Sequence, residues 1–140
     1  MVLVDDAHWP LVVVNWPSGP LSNESVESAL RTLASYYGRR HAVLHDGMHV
    51  TAVTGEQRRW MMQHSSWYDD EIRRWVVASA AVIESAMWRG VIRVIQQVVP
   101  PPTPFRTFAS RAAAEEWLLL ALRRAGLWRP SAPQPPGLTG

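Results

Sequence analysis

Short apolar runs separated by turn-forming clusters divide the chain into alternating strands and helices. Residues 2–4 and 11–16 (Leu-Val-Val-Val-Asn-Trp) read as two strands joined by a turn at His8-Trp9-Pro10, and Pro17 to Pro20 stop the second. Ser22 then caps a helix reaching about Tyr37, with Ser25 at its third position; Val26, Leu30, Leu33 and Tyr37 share a face, and Gly38 ends it. His41 to Asp46 reads as a strand, and 47–53 as a loop. Thr54 and Gln57 make a capping box for a helix from Gly55 to about Asp70, in which Trp60, His64 and Trp67 fall on one face. Residues 75–83 form a nearly unbroken apolar run, the pattern of a strand covered on both sides. A helix follows from Glu84 or Ser85 to about Val99, where three prolines stop it. Residues 105–108 read as a last strand, and Ser110 caps a helix from Arg111 to Arg124, closed by Gly126.

The resulting order, β-β-α-β-α-β-α-β-α, predicts an α/β fold: one mixed or parallel sheet of about five strands flanked by about four helices. Its length of 140 residues suits one domain, expected over 1–126, with 127–140 as a Pro-rich disordered tail. All 14 basic residues are arginine and the net charge is only +2, so composition gives no support for nucleic-acid binding. Cysteine is absent, which excludes a disulfide, a thiolate nucleophile and a sulfur-ligated metal, and suits a reducing compartment. Asp5 and Asp6 stand where a secretory signal carries basic residues, and no apolar run reaches the ~20 residues of a membrane span. A cytoplasmic protein without stable membrane insertion is expected.

Three stretches carry a family resemblance. The first is the strand ending in Asp46 and the loop leading to Thr54-Gly-Glu-Gln-Arg58-Arg59. The second is the apolar strand followed by Ser85-Ala-Met-Trp-Arg89-Gly90. The third is Pro104-Phe-Arg-Thr-Phe108-Ala-Ser before a helix containing Ala114-Glu-Glu-Trp117-Leu118. Over residues 8–124 the chain resembles the bacterial STAS-like family, related to the anti-sigma-factor antagonists and grouped with the CRAL-TRIO lipid-exchange proteins. The resemblance implies a regulatory module that acts by contact with other proteins. It also implies a switch loop from Asp46 to Thr54, since a serine after the Asp-ending strand is phosphorylated in the antagonists. Here the Asp-Ser-Ser-Gly motif of that family is missing, and only the hydroxyl of Thr54 and the following glycine remain.

No candidate chemistry assembles from spacing. His41 and His45 would share a strand face ~13 Å apart, too far for one metal ion, with Asp46 on the other face. Ser65 and Ser66 beside His64 diverge by ~100° around a helix and cannot act as nucleophile and base. The paired acids 5–6, 69–70 and 115–116 lie at element ends in water, and no phosphate-binding loop occurs. Asp46, at the carboxyl end of a buried strand, is placed either to meet a ligand or to cap the following loop. No catalytic, cofactor-binding or metal residue is therefore expected, and no enzyme activity.

The eight tryptophans and the Ser85–Val99 helix change the picture most. Met87, Trp88, Val91, Ile92 and Ile95, with Val94, Val98 and Val99, leave only a narrow polar stripe, whereas a helix on one sheet needs an apolar stripe about 100° wide. Met87, Trp88, Val91, Ile92 and Ile95 are thus the expected interface, for a protein partner or a second copy. The alternative is a carrier whose hydrophobic small molecule or lipid covers the same helix.

Overall fold

The computed structural model describes residues 2–128. Its main sheet has the order β1-β2-β4-β6-β7, formed by β1 (Leu3–His8), β2 (Leu11–Asn15), β4 (His41–Asp46), β6 (Val76–Val82) and β7 (Phe105–Phe108). β1 is antiparallel to β2, and every later neighbour is parallel. Between them run α1 (Asn23–Ala34), α2 (Gly55–Trp67), α3 (Asp69–Trp75), α4 (Ala86–Val98) and α5 (Arg111–Arg124). The expected mixed α/β sheet is present.

Side-chain alternation along the strands builds a core on each face of the sheet. Leu11, Val13, Ala42 and Leu44 face α5, where Ala114, Leu118 and Leu122 are wholly buried. Val12, Val14 and Val43 face the other way, toward Ala29 and Leu33 of α1 and Ile72 of α3. β6 changes parity at its start: Val76 joins the α1 side and Ala78 the α5 side, because the register against β4 skips Val77.

The structure departs from the sequence reading at several places. β1 extends through Asp5 and Asp6, since an edge strand keeps one side in water and tolerates acids. The loop 47–53 contains β5 (Val50–Ala52), which pairs in parallel with β3 (Gly19–Pro20) as a separate two-stranded sheet. The second helix stops at Trp67, and α3 is a fifth helix, its acids Asp69, Asp70 and Glu71 in the first turn and Arg73 and Arg74 in the last, as the helix dipole favours. β6 is not covered on both sides along its length: Val77, Ser79 and Ala81 alternate half-buried with buried neighbours. Leu127 and Trp128 pack on the core beyond the expected boundary at 126; the tail expected over 127–140 otherwise lies outside the described residues.

The caps read from sequence are in place. Ser22, Ser85 and Ser110 each accept a backbone N–H three residues on. Thr54 and Gln57 form the reciprocal box: Gln57 N donates to Thr54 Oγ1 at 3.0 Å and Thr54 N to Gln57 Oε1 at 2.9 Å.

Candidate functional site

The carboxyl ends of the parallel strands bring Asn15 and Asp46 side by side, because they are register partners. Asp46 projects to the α5 face. There Arg111, in the first turn of α5, donates from Nη1 to Asn15 Oδ1 at 3.0 Å and to Asp46 Oδ2 at 3.3 Å, and from Nε to Glu115 Oε1 at 2.9 Å. The other Asp46 oxygen accepts the Met48 N–H at 3.2 Å, which closes the turn after β4. Hydrogen bonding to Glu115, with the charge of Asp46 adding to it, holds Arg111 above the ordinary guanidinium pKa against partial desolvation. Both carboxylate oxygens of Asp46 are engaged, so this position joins β2, β4 and α5 as a clasp. Spacing alone did not single out Asn15, Arg111 or Glu115. The available signal was two polar residues ending adjacent strands and an Arg–Glu pair four apart at a helix start.

Asp46 and Thr54 are not joined by a hydrogen bond among the described residues. Thr54 is exposed and belongs to a different network: Gln57, buried beside it, donates from Nε2 to Leu21 O at 2.7 Å and to Asn23 Oδ1 at 2.9 Å. The head of α2 is thereby fastened to the head of α1.

Three of the five histidines, His41, His45 and His64, sit in aromatic packing. Trp16 Nε1 donates to His45 Nδ1 at 3.3 Å with the rings stacked, and burial pushes the His45 pKa down to about 4. His41 is fully buried against Trp9 and Tyr36. Its Nδ1–H donates to Arg39 O at 2.7 Å, which leaves Nε2 as a buried lone pair without a partner among the described residues. Desolvation lowers its pKa, the Arg39 carbonyl opposing and the Arg39 charge assisting. His64 stacks between Trp60, Trp67 and Tyr68. No group of three His, Asp or Glu side chains that could hold a metal occurs among the described residues.

The most unusual surface is α4. None of its residues is buried. Met87 is 69% exposed, Val98 78% and Val94 60%, while Trp88, Val91, Ile95 and Val99 are exposed to lesser degrees. Ile92, Gln96 and Arg89 form its half-buried side. Arg89 holds that side down by donating from Nη1 to Ile83 O at 2.6 Å and Glu84 O at 2.8 Å. The helix thus turns its apolar face outward. Of the five residues expected at an interface, Met87, Trp88, Val91 and Ile95 lie on this outer face and Ile92 on its margin. Val94, Val98 and Val99 extend it. Arg58 of α2 lies over the Trp88 ring at 5.0 Å.

The chain has a SpoIIAA-like, or STAS-like, α/β fold, with its main sheet in the order β1-β2-β4-β6-β7 and helices on both faces. A solved structure similar to this chain is that of an uncharacterised protein of the DUF3478 family with a SpoIIAA-like fold, from Shewanella loihica PV-4. The two align with a TM-score of 0.63 and 15% identity over 84% of this chain and 92% of the other. At that identity the likeness establishes the fold alone. The sequence matches no protein-family model and no curated protein. No helix among the described residues is long and apolar enough to cross a membrane.

Proposed function

We propose that the protein is a non-enzymatic interaction module of STAS-like type that works through the outer face of α4, first by pairing with a second copy of itself. The observation that carries this reading is a helix of 13 residues none of which is fully buried. Such a helix is marginal alone in water, and Val91, Ile92, Val94, Ile95 and Val98 lower its intrinsic propensity further. A surface that costs stability and exposes apolar area is explained by an occupant.

The spacing favours a second helix as that occupant. Trp88, Val91, Ile95 and Val98 recur at three and four residues, the seam of a helix pair. The stripe is also symmetric about Arg93. In an antiparallel pair with that centre, Trp88 meets Val98 and Val91 meets Ile95 of the second copy, and Arg93 stays outside the seam. A stripe on the order of 600 Å² lies at the upper end for a soluble monomer. Two facing copies would bury on the order of 1,200 Å², the threshold of a specific interface. Thr54, exposed at the head of α2, is the position at which phosphorylation would regulate the module, since a helix N-terminus accommodates added negative charge.

Because the chain contains no cysteine, disulfide trapping tests both pairing and direction. Val91→Cys/Ile95→Cys should cross-link rapidly under oxidation, whereas Trp88→Cys alone should not. Efficient linking of Trp88→Cys would indicate parallel pairing and overturn the register. A wild-type monomer by light scattering at every concentration, together with Val91→Glu leaving partner capture unchanged, would remove the interaction reading itself. The same outward face and the half-buried Ser79 and Ala81 of β6 suit a second reading, a carrier of a hydrophobic small molecule. Its mark would be a monomer carrying an adduct in the native mass spectrum that is lost on denaturation.

A further inference from the structure

At the amino-terminal edge of the parallel strands, opposite to the Asp46 clasp, lies a groove of about 680 Å³. That volume falls within the ~300–1,000 Å³ of small-molecule sites. Arg40, Arg73, Arg74 and Arg124 line it together with the apolar side chains of Trp117 and Leu120, and no carboxylate among the described residues lines it. The topology explains the convergence. Helices run back against parallel strands, so α3 and α5 both end at this edge with Arg73, Arg74 and Arg124 in their last turns, and Arg40 immediately precedes β4.

Helix termini alone do not account for four guanidinium groups. Each carboxyl terminus carries roughly −0.5 of an elementary charge, so two ends offset about one of the four positive charges. Asp70 reaches Arg73 at 3.5 Å, but both side chains are largely in water, where such a pair contributes little. Arg40, Arg74 and Arg124 form no salt bridge among the described residues. With Asp70 counted against one more of them, about two positive charges remain on this edge, beside apolar surface, in a chain whose total is only +2.

We propose that this groove binds a soluble phosphate ester with an apolar substituent. The phosphate dianion matches the uncompensated charge and the paired N–H groups of guanidinium, and the substituent lies against Leu120 and Trp117. This site is separate from α4, and either can fail without the other.

Isothermal titration of the full-length protein at low salt with phenyl phosphate, and separately with inorganic phosphate, tests it. Phenyl phosphate should bind saturably at one site and more tightly than inorganic phosphate. Arg74→Gln and Arg124→Gln should each weaken it about tenfold, the loss of one charge-assisted hydrogen bond. Arg59→Gln, exposed on α2 and outside the groove, should leave it unchanged. Equal weakening by Arg59→Gln would reduce the effect to general charge and overturn the site, as would absence of saturable binding. Equal affinity for the two probes would overturn the apolar subsite. Sedimentation with phosphatidylcholine–phosphatidylglycerol vesicles without binding of phenyl phosphate would replace the small-molecule ligand by a lipid surface.

Discussion

Acidification should destabilise this fold through His45, and the size of the effect follows from its surroundings. Desolvation of the ring lowers its pKa from the ordinary 6.5 to about 4, and the neutral ring accepts the Trp16 indole N–H at Nδ1. In the unfolded chain the same imidazole protonates near the ordinary value. Between about pH 6.5 and pH 4 the unfolded state therefore binds the additional proton, so stability rises with pH across that window and is lost as pH falls through it. At about 1.4 kcal/mol per pH unit, the full window is worth roughly 3 kcal/mol, a large share of the ~5–15 kcal/mol that holds a domain together. His41 acts in the same direction: desolvation lowers its pKa, and a proton at its buried Nε2 would find no acceptor.

His45→Asn isolates the contribution, because an amide oxygen can stand where Nδ1 accepts the indole proton while the group no longer titrates. Urea unfolding followed by far-UV circular dichroism at steps from about pH 7.5 to pH 4 gives both stability curves. The wild type should be the more stable near neutrality, where the intact ring packs on Trp16. Its advantage should shrink by up to about 3 kcal/mol toward pH 4. Two curves that stay parallel through the window would refute the reasoning, since His45 would then protonate in the folded state as readily as in the unfolded one.

Other expectations rest on separate contacts. Arg111→Gln should lower stability by about 1–2 kcal/mol in urea unfolding, because it removes the hydrogen bonds that join Asp46, Asn15 and Glu115. Thr54→Ala should cost about 1 kcal/mol by the same assay through the lost cap, and Thr54→Ser should restore most of it. Leu118→Ala, at a wholly buried position between α5 and the sheet, should cost about 3 kcal/mol. Val91→Glu should leave stability within about 0.5 kcal/mol under conditions where the protein is monomeric, as an exposed site requires, while weakening the proposed pairing through α4.

The sequence was most readable where one local cause decides the structure. β2, β4 and β6 announce themselves by short apolar runs, and the serine and threonine caps mark helix starts within a residue. What stayed hidden depends on neighbours. Asp5 and Asp6 obscured most of β1, because whether a charged strand is tolerated depends on its place at the sheet edge. β3 and β5 are two and three residues long and exist only through each other, so neither carries a pattern of its own. The break at Tyr68 that divides α2 from α3 has no Gly or Pro signal, although the acids and arginines of 69–74 bear the charge order of a complete short helix. The arginine groove was hidden for the same reason: Arg40, Arg73, Arg74 and Arg124 are far apart in sequence, and only the common direction of α3 and α5 brings them to one edge.

α4 differs from these cases, because its anomaly is present at both levels. A helix on the flank of a sheet should bury an apolar stripe and expose the rest. Its sequence has too broad a stripe for that, and the structure turns the surplus outward while Arg89 fixes the polar side to the ends of β6. Had the broad stripe simply been extra core, the helix would have rolled inward over Ser79 and Ala81, which remain half-buried. The Arg89 bonds to the carbonyls of Ile83 and Glu84 favour the outward setting instead. Arg89→Ala should therefore free the helix to roll, bury Trp88 and weaken pairing, seen as a blue-shifted tryptophan emission together with a lower dimer fraction. Loss of pairing without the spectral change would mean that Arg89 contributes to the interface itself rather than to the setting of the helix.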